Sequence, residues 1–244
     1  MGIQQRDKVT GRSKWMQKII NIIPKKFRLR LNPRRYAIET FVEKSAHSLK
    51  KGSRVLDAGA GPCPYKGFFD HCEYEATDMV DTYHCLDFVC SLSKIPCKLQ
   101  TYDAVLSTEV LEHVEYPQQV IDEMHRILKK GGKLFLTTPQ TWRIHQAPYN
   151  YFYFTLYGLR SLLKNAGFSK YKVIPTGGYF WFLADSIRFN NLLEQLNKKN
   201  IFRIILAIIG YPFTQIIIPF LLFHLDFLDK KRDWTMGYVV EAVK

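Results

Sequence analysis

"RVLDAGAGPC", residues 54–63, runs from a short apolar stretch into a turn with glycines at 59 and 61. Val55, Leu56 and Ala58 enclose a single acid, Asp57, which is the pattern of a strand buried on both faces. Gly59 and Gly61 give the backbone the freedom that a sharp turn after such a strand needs. Outward from this point the same theme recurs. "YEATDMV" (74–80), "HCLDF" (84–88), "YDAVLSTEV" (102–110), "GKLFLTTP" (132–139) and "YKVIPT" (171–176) are short runs rich in β-branched or aromatic residues, each closed by turn residues, and read as strands. Helical spacing fills the gaps. One helix is expected over 36–50 with Gly52 as its stop. A second begins at Pro117 with a stripe of Val120, Ile121, Met124, Ile127 and Leu128 and a predicted stop at Gly131 and Gly132. A third begins at a Thr155 cap, buries Leu159, Leu162, Leu163 and Ala166, and stops at Gly167. Strands alternating with helices predict an α/β, mainly parallel sheet covered on both faces, with ligands beyond the carboxyl ends of the strands. Asp57, Asp78, Asp87 and Glu109 are expected at such ends.

Charge is distributed unevenly. The chain of 244 residues has a net charge of +13, and residues 1–54 hold 15 Lys or Arg against Asp7, Glu39 and Glu43, a balance of +12 that leaves +1 for the other 190 positions. The basicity belongs to an N-terminal arm, a footprint for phosphate groups on nucleic acid or on an anionic membrane. The expected organisation is a basic amphipathic arm over 1–35, then one domain over 36–244 with an apolar helical insertion at 180–230. Five cysteines (Cys63, Cys72, Cys85, Cys90, Cys97) with no CxxC pair predict reduced thiols, no disulfide framework and no metal site. No apolar run near the start suits a signal peptide, so a cytoplasmic chain is expected.

The turn alone does not name its ligand. A dinucleotide fingerprint would place a third glycine near position 64, where Pro64 stands, and would aim its amides at a pyrophosphate dianion. Asp57 would be unfavourable beside that anion and favourable beside a cation. S-adenosylmethionine carries an ammonium and a sulfonium, so the charge logic selects it over NAD. Asp78, about 20 residues past the glycines, suits the two hydroxyls of a ribose. Asp87 can accept from an adenine amine, and Met79 and Phe88 offer apolar walls to the ring.

"VLDAGAG", "YDAVLSTEVLEHV", Pro117, "EMHRILKKGGKLFLTTP" and "LLKNAGF" together resemble the class I S-adenosylmethionine-dependent methyltransferases, in particular the subgroup that includes quinone-biosynthesis methyltransferases. The likeness covers about residues 37–178, and "TMGYVVEAV" (235–243) is similar to the family's final antiparallel strand. It implies a Rossmann-like fold with a seven-stranded sheet, mainly parallel with an antiparallel last strand; the chain's own apolar stretch within 180–230 adds a helical insertion before that strand. It also implies Gly59 and Gly61 near the methionine part of the cofactor, Asp78 at the ribose, Asp87 at the adenine, and Thr108 or Glu109 near the amino-acid end. Cys63 stands where the family usually has a third glycine.

Methyl transfer from a sulfonium needs an acceptor atom held in line, and a hydroxyl acceptor needs a base as well. Two histidines are candidates. His113 follows the fourth strand in "LEHV", and His145 lies in "TWRIHQAPYNYFYFT", an aromatic segment in a position usual for acceptors. The acceptor classes are a membrane-associated or lipid-linked glycan or prenylated ring and, as the alternative that explains the arm, RNA; a non-catalytic cofactor-binding protein is the third reading. Residues 204–225 carry no Lys, Arg, Asp or Glu, and Pro212 and Pro219 interrupt them, which predicts a bent element rather than a spanning one. In the arm, Trp15, Met16, Ile19, Ile22 and Ile23 share one helical face flanked by Lys14, Lys18 and Lys25. The expected location is therefore peripheral or monotopic, on an anionic cytosolic membrane face.

Overall fold

The structure is a computed structural model, which describes residues 24–189, 210 and 212–244. The arm residues 14–23 and the stretches 190–209 and 211 therefore lie outside the described residues. The chain divides into two compact units, Ile38–Thr176 with Gly237–Lys244, and Met1–Ala37 with Gly177–Met236.

The larger unit holds the sheet. Its strands are β1 (Arg54–Ala58), β2 (Glu73–Asp78), β3 (Phe88–Val89), β4 (Tyr102–Thr108), β5 (Leu128–Pro139), β6 (Lys170–Pro175) and β7 (Gly237–Val243), in the spatial order β3-β2-β1-β4-β5-β7-β6. β1 to β5 run parallel, while β7 lies antiparallel to both β5 and β6. This is the expected seven-stranded α/β arrangement. Alternate side chains enter opposite cores, as a period of two requires. Leu56, Val105, Leu134 and Leu136 join one core cluster with Val120, Met124 and Leu159, whereas Val55, Ala104, Leu106 and Phe135 join another with Ile38, Val42 and Phe69. Both faces are thus buried, which is why these strands read as nearly continuous apolar runs.

The helices of this unit follow their sequence signals with two corrections. α2 (Pro33–His47) starts three residues earlier than expected, with Pro33 at its first position, and Gly52 follows its end with φ +77°. α1 (Lys25–Arg30) precedes it. α3 (Pro117–Ile127) stops before Leu128, which takes extended backbone and opens β5. Gly131, read from sequence as the helix stop, lies inside β5 with φ +78°, where the β4–β5 register shifts between Tyr102 and Ala104. A left-handed glycine serves a bulge as readily as a helix end, and the sequence signal is the same for both. α4 (Leu156–Asn165) carries the expected cap, with Gly158 N donating to Thr155 Oγ1 at 3.1 Å, and Gly167 has φ +90°.

The smaller unit contains α1, the first turns of α2, α5 (Tyr179–Phe189) and a helical run ending in α6 (Ile218–Leu225). Trp181 stacks on Phe223 at 4.8 Å, and Tyr36 meets both rings edge-on. Buried Asp226 accepts from the backbone N–H groups of Gly178 and Trp181, so it caps the start of α5. Ahead of α6, Phe213–Ile217 forms a π-helical turn. The wider turn accommodates Pro219, whose ring would clash with a carbonyl four residues earlier in a regular helix. Among the described residues no helix is long and apolar enough to cross a membrane. Phe213, Ile217, Leu221, Leu225 and Leu228 are nevertheless all exposed, at near-fourfold spacing along one side of this run, while Phe220 turns onto Phe27 at 5.1 Å.

Candidate active site

The carboxyl ends of β1, β2 and β4 bring most of the sequence-predicted cofactor residues together. Gly59 N and Ala60 N both donate to Thr77 O, at 2.8 and 3.0 Å, so the turn after β1 folds back on the end of β2. Gly59 has φ +86°, and a Cβ there would stand 2.4 Å from Val110 Cγ2. Only glycine fits on both counts. Gly61 N donates to Asp78 Oδ2 at 3.1 Å, while Met79 N donates to Asp78 Oδ1 at 2.7 Å. Asp78 is the last residue of β2, as expected.

Asp57 occupies the most demanding position. It is 1% exposed, Tyr74 Oη donates to its Oδ2 at 2.6 Å, and its Oδ1 is buried without a hydrogen-bond partner among the described residues. Burial, opposed by the Tyr74 hydrogen bond and reinforced by the Asp78 charge, pushes the carboxyl up to about 7. A buried carboxylate with an unmet acceptor costs free energy unless a donor or a cation arrives.

Asp87 departs from expectation. β3 is only Phe88–Val89, so Asp87 stands before it rather than at its carboxyl end. Its Oδ2 accepts from Ala76 N at 2.7 Å and its own N–H donates to Ala76 O at 2.9 Å. The acid thereby replaces a strand neighbour for Ala76, which is why the short β3 begins one residue later. Met79 is 68% exposed, whereas Phe88 packs against the core and offers less of its ring than the sequence reading allowed. Glu109, just past β4, has φ +54°, and Thr137 Oγ1 donates to its Oε1 at 3.0 Å. Thr108 ends β4 beside Thr137. A non-glycine residue held in the left-handed region marks strain of the kind that functional sites retain.

The two candidate histidines turn out to be neighbours. Their rings lie 4.7 Å apart in an edge-to-face arrangement. His113 Nδ1 is 2.6 Å from Tyr149 O, and His145 Nδ1 is 3.1 Å from Arg143 O. A backbone carbonyl can only accept, so each ring donates from Nδ1, which leaves Nε2 as the atom that can take up or give up a proton. The loop is tied down through Glu112, whose backbone oxygen accepts from Tyr151 N at 2.8 Å. The Glu112 side chain was not singled out from the sequence. It is buried, and its Oε1 lies 3.7 Å from His113 Nε2. Ligand-type atoms of Glu112, His113 and His145 fall within 4.8 Å of one another. Such a trio can relay a proton, and it also has the donor types of a borderline divalent cation. The expectation of no metal rests on cysteine spacing, which does not bear on this trio. Around it Ile144, Tyr149, Tyr151, Phe152 and Tyr153 are exposed.

Comparison with known proteins fits this arrangement. Residues 31–173, more than half of the chain, match the family described as "Methyltransferase domain". A mitochondrial ubiquinone biosynthesis O-methyltransferase of Dictyostelium discoideum is 51% identical over 39 residues, covering 16% of this chain and 12% of that protein. Its mouse counterpart is 41% identical over 51 residues, covering 20% and 14%. The chain thus matches only a small part of the length of these curated relatives. Among solved structures, an S-adenosylmethionine-dependent methyltransferase of Archaeoglobus fulgidus superposes with a TM-score of 0.56 at 14% identity, over 85% of this chain and 93% of that one. The Haemonchus contortus phosphoethanolamine N-methyltransferase 2, solved with S-adenosyl-L-methionine, has a TM-score of 0.55 at 16% identity, over 84% of this chain and 52% of that one. By sequence match and by sheet order, the chain belongs to the methyltransferase-domain family.

Proposed function

We propose that the protein is an S-adenosylmethionine-dependent methyltransferase that O-methylates a membrane-associated or lipid-linked acceptor, such as a glycan or a prenylated ring. The observation that carries the cofactor is Asp57, buried two residues ahead of the glycine turn with Oδ1 unmet. A cationic ligand relieves that cost, and a dinucleotide pyrophosphate would raise it. Gly59 and Gly61 keep the turn low enough for close approach, Asp78 accepts from a ribose, and Thr108 and Glu109 border the amino-acid end. Asp87 and Met79 remain the candidates for the adenine side.

When bound, the cofactor supplies an electrophilic methyl group on a sulfonium. His145 Nε2 takes the acceptor's hydroxyl proton, and His113 orients it through the edge-to-face contact. Buried Glu112 stabilises the imidazolium that results, as a carboxylate beside a histidine does. The exposed aromatic rim from Ile144 to Tyr153 suits an apolar or ring-bearing acceptor. The acceptor reading draws further support from the exposed stripe Phe213 to Leu228, a face suited to entering lipid from one side, and from the basic arm. The ubiquinone O-methyltransferase fragments are compatible with a prenylated ring.

Calorimetric titration with S-adenosylmethionine, its demethylated product and NAD tests the cofactor: tight binding of the first two and none of NAD is expected, and the reverse overturns the assignment. Flotation of the full chain with phosphatidylglycerol liposomes in high salt tests the location. A chain that stays in the soluble fraction there removes the membrane, and RNA becomes the better account of the arm.

A further inference from the structure

Two of the five cysteines meet where the cofactor turn meets the segment after β2. Cys63 Sγ lies 2.8 Å from Cys85 Sγ, and Cys85 Sγ donates to Gly61 O at 3.3 Å. The residues are 22 apart in sequence, both are partly exposed, and both are free thiols. Cys63 holds φ +51° at the position following Pro62 in the turn, and its N–H donates to Ala60 O at 2.9 Å. Cys85 is likewise fixed, because its N–H donates to Asp81 Oδ1 at 3.2 Å. Nothing in the expected chemistry uses either thiol. A disulfide holds its sulfurs about 2.05 Å apart, so these two have only a short distance to close.

We propose that Cys63 and Cys85 form a reversible disulfide that clamps the glycine turn to the segment 79–87, a modification site for peroxide or an oxidised low-molecular-weight thiol. The step balances. With peroxide, the Cys85 sulfur attacks an oxygen, the O–O bond breaks, and a sulfenic acid and one water result. The Cys63 sulfur then attacks the Cys85 sulfur, the S–S bond forms, and the sulfenic oxygen leaves as a second water; with an oxidised thiol, the Cys85 sulfur instead displaces one thiol from its disulfide to give a mixed disulfide, and the Cys63 sulfur displaces the second thiol. Burial and the neighbouring Cys85 sulfur push the Cys63 thiol up to about 12, which disfavours Cys63 as the first attacking sulfur. The clamp joins the two loops that carry Gly61 and Asp78 to Asp87, so it regulates the proposed cofactor site. That consequence rests on the cofactor assignment; the disulfide itself does not.

The test uses the full chain, reduced, desalted and then exposed to hydrogen peroxide or oxidised glutathione. The expected product is about 2 Da lighter and yields a crosslinked peptide containing Cys63 and Cys85, reversed by dithiothreitol. Amide hydrogen exchange across residues 59–66 is expected to slow by about fivefold or more in the oxidised chain. S-adenosylmethionine release is expected to slow with it. Separate alkylation of Cys63 and Cys85 after oxidation, crosslinks confined to Cys72, Cys90 or Cys97, or a Cys63–Cys85 bond with unchanged amide exchange each overturn the proposal. The comparison of reduced with oxidised wild type needs no variant; Cys85→Ser, expected to lose the crosslinked peptide and the slowed exchange, adds a second check. A reduced chain that fails to bind S-adenosylmethionine overturns the cofactor reading alone, since the crosslink and the exchange are scored without it.

Discussion

The cofactor half and the acceptor half of the candidate site are built by different means. On the cofactor side, Asp57 and Asp78 are placed by the register of β1 and β2, and Gly59 to Gly61 by a turn hydrogen-bonded to Thr77. On the acceptor side, His113 and His145 come from a short helical turn and a long loop, and backbone carbonyls orient both. Strand pairing repeats at every residue, so a ligand site at strand ends inherits precision from the whole sheet. A loop site depends on a few specific contacts, here Tyr149 O, Arg143 O and Glu112 O. The acceptor half is therefore the part that can be retuned between relatives on one scaffold.

That contrast can be broken at several points. The largest effect is expected from His145→Ala, which should lower turnover by about 10²–10⁴ with cofactor affinity unchanged, as measured by single-turnover methyl transfer and calorimetry. Retained activity would make His145 a packing residue and leave His113 to carry the base. Next, Asp78→Ala removes an acceptor from a ribose. It should weaken S-adenosylmethionine binding by about tenfold or more, equivalent to about 1.5–3 kcal/mol, with the fold intact by circular dichroism. Equal affinity would take Asp78 out of the site.

A third effect separates the halves by pH. Asp57 is raised above its unfolded value to about 7, chiefly by burial, so its ionised form is disfavoured unless a cation meets it. The sign follows from that direction. Its contribution favours the folded chain at acid pH and is lost as pH rises through 7, whereas a cationic ligand requires the ionised form. Cofactor affinity is thus expected to increase between about pH 6 and 8, with a proton released on binding, and Asp57→Asn should flatten that dependence. A wild-type affinity that falls over the same range would show that Asp57 does not meet the cation. The smallest effect is structural. Thr155→Ala removes the cap of α4, which follows the acceptor loop, and should cost about 1 kcal/mol in urea unfolding without altering cofactor affinity.

The geometry of the candidate cofactor half is legible in the sequence because its signals are local. An apolar strand, a glycine turn and an acid at the next strand end are each written within a few residues, and only glycine tolerates the approach to Val110 at position 59. Asp87 was misplaced because a two-residue strand carries almost no periodicity, and its carboxylate stands in for a strand neighbour. Gly131 was misread because helix ends and bulges share the left-handed conformation. The sequence named both histidines, but treated them as rivals.

The sheet, most of its helices and the glycine turn after β1 are thus written in the sequence, since these follow from periodicity and from backbone conformations that few residues allow. The convergence of His113, His145 and Glu112, the burial of Asp57 with an unmet oxygen and the meeting of Cys63 with Cys85 come from the folding of distant segments onto one another. Each of these depends on which loops the sheet brings together and how completely it excludes water there, and neither distance through space nor desolvation is encoded in the spacing of residues along the chain.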